Sequence, residues 1–200
     1  MNRSLRTLLG VAVTLLLILA PLAYALRQRA ETRGFKVVRD GVLYRSGQMS
    51  LDALKRQIHD RNIRTVVCLR DAVPGRPTPD RTEEEYCLKQ GLRYVRIPPR
   101  HWEAADGSSP ADEGVRTFLD VMSDANNYPV LIHCFAGVHR TGAYCAVYRM
   151  EFEGWSNEEA IAELKGLGYA HLDEEWDILT YLERYRPRLG KAGEAASREP

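Results

Sequence analysis

Beyond Gly34 the chain alternates short apolar runs with longer amphipathic stretches, and this alternation restricts its fold more than any other feature. "FKVVRDGVLYRSG" reads as two short strands around an Asp40-Gly41 turn, and "SLDALKRQIHDRN" as a helix with Leu51, Leu54 and Ile58 on one face. "IRTVVCLRD" supplies a core strand, and "TPDRTEEEYCLKQG" a helix with Pro79 in its first turn, acids near its start and Gly91 at its end. "LRYVRIP" is the next strand; after a long loop "SPADEGVRTFLDVMSD" is helical, with Ser109, Pro110 and Asp112 as N-cap, first residue and reciprocal cap. "YPVLIHC" is a buried strand that delivers Cys134 to the start of a helix, "AYCAVYRMEF". "WSNEEAIAELKGLG" opens with a capping box, Ser156 to Glu159, and "LDEEWDILTYLERYRPR" closes the fold as an amphipathic helix. The expectation is an α/β domain with a central, mostly parallel sheet flanked by helices.

Two hundred residues leave room for one such domain with appendages. A formal net charge of +1 argues against a nucleic-acid partner drawn in by a strongly positive field. The four cysteines, Cys68, Cys87, Cys134 and Cys145, lie far apart with no Cys-x-x-Cys pair, which fits neither a disulfide scaffold nor a zinc ribbon, so no metal is expected. Before the domain, Leu8 to Leu26 is free of charge and bracketed by arginines, long enough for a transmembrane helix of about 17 to 25 residues. The bias of Arg27, Arg29, Arg33, Lys36 and Arg39 over Arg3 and Arg6 points to a single-pass anchor with the domain in the cytoplasm. The competing reading is a signal peptide cleaved near Ala25, after Pro21 and the small-residue pattern Ala23-Tyr24-Ala25. The expected organisation is therefore 1–33 hydrophobic segment and basic linker, 34–187 folded domain, and 188–200 a small, polar, frayed tail.

The stretch "HCFAGVHRTG" carries the chemistry. Ligands of open α/β sheets bind beyond the carboxyl ends of the strands, where Cys134 falls. A loop from Cys134 to Arg140 can aim successive backbone N–H groups of Phe135, Ala136, Gly137, Val138 and His139 at one point, with the dipole of the following helix behind them. Such a cradle suits a tetrahedral oxyanion. Gly137 opens backbone conformations closed to other residues, Gly142 lets the helix pack closely, and Arg140 brings a planar fork for two phosphate oxygens. The same field lowers a cysteine's pKa from about 8.5 into a range of about 3.5 to 7.5, which makes Cys134 a ready nucleophile.

With every fixed position filled, "HCFAGVHRTG" resembles the His-Cys-x-x-Gly-x-x-Arg-(Ser/Thr)-Gly loop of the cysteine-based protein tyrosine phosphatases. The compact domain is similar to the dual-specificity and related atypical members, and "LYRSGQ", "VVCLRD" and "GWSNEEAIAEL" also resemble segments of small bacterial and plant-fungal ones. The resemblance implies a dual-specificity-phosphatase-like fold and a cofactor-free enzyme acting on phosphorylated proteins or other phosphate esters. In it, Cys134 attacks phosphorus, Arg140 and the loop amides hold the equatorial oxygens, His133 orients the loop and Thr141 helps the sulfur leave. The general acid of the family is an aspartate about thirty residues before the cysteine, which falls in "IPPRHWEAADGSSPADEG"; Asp106 is the first candidate, Glu103 the second, and no acid from this loop the third alternative. Cys68 stands where some relatives keep a cysteine that protects the nucleophile, with a core role as the alternative, and Cys145 reads as packing. His139 is either a charge at the pocket rim or solvated, and Trp102 either stacks on substrate or anchors its loop. Because Phe135, Ala136, Val138 and His139 add no lysine to the loop, phosphotyrosine, with or without phosphoserine and phosphothreonine, comes first. A phosphoinositide or inositol pyrophosphate stays open. Two rivals of other classes are a phosphate-binding adaptor without turnover and a rhodanese-like sulfurtransferase.

Overall fold

The computed structural model describes residues 12–24, 31–71, 79–169 and 172–188. Helix α1 (12–24) precedes five strands, β1 (Lys36–Arg39), β2 (Leu43–Ser46), β3 (Thr65–Cys68), β4 (Arg93–Arg96) and β5 (Val130–His133). They form one sheet in the order β1-β2-β5-β3-β4, and only the β1–β2 pairing is antiparallel. The mostly parallel α/β sheet expected from the alternation is therefore the observed one. β5 is central, with Ser46 of β2 and Cys68 of β3 both registered on His133 at its carboxyl end.

Successive strand residues point to opposite faces, and each face carries its own core. Tyr44, Val66 and Leu131 pack with Ala53 and Leu54 of α2 (Leu51–Arg61) and Cys87 of α3 (Pro79–Lys89). Leu43, Val67 and Ile132 pack with the helices of the other face: α4 (Asp112–Ser123), α5 (His139–Phe152), α6 (Asn157–Gly166) and α7 (Trp176–Arg184). Because α5 is buried from Thr141 through Tyr148, apolar residues cover it all round, as a helix enclosed by neighbours requires.

Several helix ends follow directly from sequence. Ser50 caps α2 by accepting from Ala53 N–H, and the Ser156–Glu159 capping box opens α6. The start of α4 differs from the expected cap. Its N-cap is Ala111, without a side-chain hydrogen bond. The Ser109 hydroxyl instead donates to Glu103, and Asp112 accepts from Tyr181 and Arg188. Tertiary partners claimed both side chains before the helix terminus could.

The N-terminal expectation is corrected. Among the described residues no helix is long and apolar enough to cross a membrane. From residue 12 to residue 24 a helix rises about 20 Å at ~1.5 Å per residue, short of a hydrocarbon core of about 30 Å. The single-pass anchor, the transmembrane element of the fold and the membrane as partner are thus not supported. The remainder of the Leu8–Leu26 run lies outside the described residues, as does most of the tail from 188 to 200.

Candidate active site

β5 ends at His133, and the chain turns at once through Cys134–Val138 into α5. The turn is pressed against the end of β2: Gln48 N–H donates to the Phe135 carbonyl at 2.9 Å, and Arg45 Nη2 to the Gly137 carbonyl at 2.8 Å. Gly137 has φ +75°, and a Cβ on it would lie 2.4 Å from Gly47 N, so both the conformation and the space demand glycine. With these carbonyls drawn outward, the amides face inward. Gly137 N–H reaches Cys134 Sγ at 3.2 Å, and the N–H groups of Ala136 and Thr141 bear on the same sulfur.

Cys134 is only 4% exposed, and burial alone would raise its thiol pKa. The Thr141 hydroxyl and the three amides outweigh burial and hold the thiol below its ordinary range. The Thr141 hydroxyl is buried without another hydrogen-bond partner among the described residues, which leaves it to serve the sulfur. Arg140, on the first turn of α5, is tied at one end to the Leu69 carbonyl by a 3.2 Å hydrogen bond and lines a 250 Å³ recess with Cys134, Phe135, Ala136 and His139.

Behind the sulfur lies a cluster that sequence reasoning missed. His133 Nε2 is 2.7 Å from Glu83 Oε1, and His133 Nδ1 is 3.3 Å from the Cys134 carbonyl. Glu83 also accepts from Tyr94 at 3.0 Å and Gln48 at 2.8 Å. Arg96 Nη1 donates to Asp80 at 2.8 Å and stands 3.7 Å from Cys68 Sγ, while Arg70 pairs with Asp80 at 3.0 Å and Arg96 with Glu84 at 2.8 Å. Cys68, Glu83 and His133 bring ligand-type atoms within 4.8 Å of one another. With a guanidinium on the sulfur and three donors on the Glu83 carboxylate, they form a charge network and not a ligand set. The signal for it was the i, i+3, i+4, i+7 spacing of Asp80, Glu83, Glu84 and Cys87: the inward stripe of α3 is largely acidic, while Leu88 points to solvent.

In front of the loop, a cavity of about 570 Å³ is lined by Arg140, His139, Arg100, Trp102, Glu175 and Asp177 among others. Asp177 Oδ2 accepts from Trp102 N–H at 3.4 Å; His139 stacks on Tyr169 with 4.3 Å between ring centroids and pairs with Glu175 at 3.6 Å. Trp102 is buried edge-on against Tyr144 and Tyr181, which anchors its loop. Asp106 does not line this cavity. It is exposed, and its carboxylate closes a turn by accepting from Ser108 N–H and Oγ–H, which lowers its pKa. Glu103 is buried against Ser109. Phe135, 57% exposed, has two arginines close to its ring, with the Arg33 and Arg70 guanidinium carbons 4.9 and 5.5 Å from the ring centroid. Cys145 is buried within α5, and burial lifts its thiol to about 11.

Amides that converge on a thiolate also converge on the oxyanion it attacks. Set at the carboxyl end of the central strand of this sheet, that arrangement is the one found in cysteine-based tyrosine and dual-specificity phosphatases. Residues 24–174 match the family described as DSP-PTPase phosphatase fused to NAD+ kinase, and the chain belongs to that family. The dual specificity protein phosphatase TpbA of Pseudomonas aeruginosa (strain UCBPP-PA14) is 37% identical over 91 residues, 46% of this chain and 39% of that one. Inositol diphosphatase DSP1 of Oryza sativa subsp. japonica is 32% identical over 120 residues, 58% of this chain and 48% of its own length. The matched part thus spans less than half the length of either relative. The core catalytic domain of PP-IP phosphatase SIW14 from S. cerevisiae shares the fold, with a TM-score of 0.59 at 18% identity over 84% of this chain and 94% of that one.

Proposed function

We propose that this chain hydrolyses phosphate monoesters, phosphotyrosine first and phosphoserine and phosphothreonine as an extension, through a phosphocysteine at Cys134. One observation carries the reading: the Thr141 hydroxyl and the amides of Thr141, Gly137 and Ala136 converge on a buried cysteine sulfur with Arg140 lining the same recess. In the first step the thiolate attacks phosphorus in line, forming the P–S bond as the P–O bond to the leaving group breaks. The leaving oxygen takes a proton from a carboxylic acid. In the second step water attacks phosphorus, its proton passes to that carboxylate, and the electron pair of the P–S bond returns to Cys134. Arg140 and the loop amides neutralise the equatorial oxygens in both transition states.

Asp106 enters the proposal as the loop carboxylate and Asp177 as the carboxylate on the cavity wall. The cavity shared with Arg140 favours Asp177. A second reading, hydrolysis of an inositol pyrophosphate, is supported by Arg33 and the Asp80-paired Arg70 beside Phe135, which add cationic groups to Arg140 at the loop, and by the names of the rice and yeast relatives.

The test is turnover of p-nitrophenyl phosphate, a phosphotyrosine peptide and an inositol pyrophosphate by the full chain, reduced and with chelator. Cys134→Ser abolishes turnover, and Asp177→Asn lowers kcat by about 10²-fold or more, the scale of acid catalysis, while Asp106→Asn stays near wild type. Vanadate binding without turnover of any substrate would favour the adaptor, and thiosulfate turnover the sulfurtransferase.

A further inference from the structure

We propose that Glu83 is a positioning residue for the nucleophile, acting through His133 on the main chain of Cys134. This rests on the reading of Cys134 as the reactive thiol. Both ring nitrogens of His133 face acceptors: Nε2 meets the Glu83 carboxylate at 2.7 Å, and Nδ1 meets the Cys134 carbonyl at 3.3 Å. A neutral imidazole carries one N–H and can satisfy only one of them; the imidazolium satisfies both. Glu83 also accepts from Tyr94 O–H at 3.0 Å and from Gln48 N–H at 2.8 Å, so donors from three segments surround its carboxyl oxygens.

The groups around His133 and Glu83 are Cys68 from β3, Tyr94 from β4, Gln48 after β2 and Cys87 from α3; Arg96 of β4 joins them through Cys68 while pairing with Asp80 and Glu84 of α3. Arg70 pairs with Asp80. Three carboxylates, Asp80, Glu83 and Glu84, thus stand against two guanidiniums, and a charged His133 balances the cluster. Burial of the ring would favour its neutral form, but the Glu83 charge, with hydrogen bonds to Cys68 and Glu83, outweighs burial and raises its pKa well above the ordinary value. The pair is nearly dry, with His133 1% and Glu83 3% exposed, so neither partner can be lost to water cheaply.

The consequence is mechanical as well as electrostatic. A donor on the Cys134 carbonyl holds that peptide turned so that the following amides of Ala136 and Gly137 point at the sulfur. In Glu83→Gln no carboxylate charge holds the second proton on His133: if Nε2 keeps its N–H, Nδ1 presents a lone pair to the Cys134 carbonyl, and if Nδ1 keeps it, Nε2 must accept from the new amide, so the fixed imidazolium is lost either way.

The test is the rate of Cys134 alkylation by iodoacetamide against pH in the full chain, read by mass on the Cys134 peptide, for wild type, Glu83→Gln, Glu83→Asp and Tyr94→Phe. Glu83→Gln is expected to raise the midpoint of the thiol titration by about one pH unit, a tenfold change in thiolate stability, and to lower kcat/KM by a similar factor. Tyr94→Phe removes a donor but keeps the carboxylate, and leaves the midpoint in place. A folded Glu83→Gln protein with the wild-type midpoint overturns the proposal. If Glu83→Gln does not fold, Glu83→Asp decides: the shorter carboxylate raises the midpoint by a smaller amount, and an unchanged midpoint overturns the inference. Alkylation needs no turnover, so a wild type that alkylates at low pH yet hydrolyses nothing defeats the proposed function and leaves this inference standing.

Discussion

Arg45 Nη2 donates to the Gly137 carbonyl at 2.8 Å from a residue only 3% exposed, so β2 holds the outer wall of the Cys134–Val138 loop through a part-buried, charged hydrogen bond. Replacing Arg45 with Met leaves that carbonyl without its charged donor, a loss on the order of 1–3 kcal/mol. For a chain of this length that corresponds to a fall in Tm of several degrees. Because the carbonyl is then free to turn inward, kcat/KM falls by more than tenfold as well. Thermal unfolding and steady-state kinetics on the same preparation check both. Unchanged kinetics with a lowered Tm would show that the loop keeps its shape without Arg45.

Gly137→Ala strains the loop from the other side. Its Cβ would lie 2.4 Å from Gly47 N and 2.5 Å from the Ser46 carbonyl carbon, both main-chain atoms, at φ +75°. The left-handed conformation alone costs about 1–2 kcal/mol for a residue with a Cβ. The loop must move away from β2, and the expected result is a Cys134 alkylation rate at pH 6 at least tenfold below wild type. Gly107→Ala is the control: it shares a positive φ, +80°, but a Cβ there meets open space, and it is expected to leave Cys134 reactivity unchanged. Equal effects of the two substitutions would show that general destabilisation, not loop geometry, governs the thiol.

What could be read from sequence and what could not divide along the range of the interactions. β5, the loop and the start of α5 form one contiguous segment, so residue order alone sets Cys134 at a strand end and Arg140 on a first helical turn. The capping box at Ser156 is likewise local and appears as expected. Ser109 and Asp112 follow the same local rule but are taken by Glu103, Tyr181 and Arg188, partners that residue order does not reveal. The acids of α3 read from sequence as a helix-start signal, and their role in the cluster appears only when β4 lays Arg96 and Tyr94 against them. Asp177 reaches the cavity only because α7 packs against Trp102 of the loop that carries Glu103 and Asp106, although it stands 75 residues further along the chain. Even loop charge was underestimated, since Arg33 and Arg70 arrive from other segments.

The buried charges make stability depend on pH in two opposite senses. Burial opposes ionisation of Asp80, but hydrogen bonding from Arg96 and the charges of Arg70 and Arg96 prevail and hold its pKa below the ordinary value. Its contribution is therefore complete above the unfolded pKa of about 3.9 and lost as pH falls through the lower folded value. His133 behaves the other way: its folded pKa is raised, so its contribution is complete below the unfolded pKa of about 6.5 and lost as pH rises through the folded value. Both are fully present between about pH 4 and 6.5. Urea unfolding across pH 3 to 9 in a Cys134→Ser background, which removes the thiol's own titration, is expected to show losses on both sides. Asp80→Asn flattens the acid limb and spares the alkaline one. An acid limb of the same steepness in the Asn variant would remove Asp80 from the account.

Arg33 offers a way to separate substrate recognition from catalysis. Its guanidinium carbon lies 4.9 Å from the centroid of the exposed Phe135 ring, and its Nη1 is 3.5 Å from the Phe135 carbonyl, so it stands beside the loop without entering it. A substrate with one phosphate occupies the cradle of loop amides and Arg140, and gains from Arg33 only a screened, long-range attraction. A substrate with a second phosphate places that charge at the loop rim, where Arg33 and Arg70 both stand within about 6 Å of the Phe135 ring. Arg33→Ala is therefore expected to raise KM for an inositol pyrophosphate by about tenfold, the equivalent of ~1.4 kcal/mol, with kcat little changed, and to alter KM for p-nitrophenyl phosphate by less than twofold. The loss should shrink as salt is raised, because the contact is exposed. Equal changes for both substrates would show that Arg33 supports the loop and reads no second charge, and phosphotyrosine would then keep its place as the first substrate class.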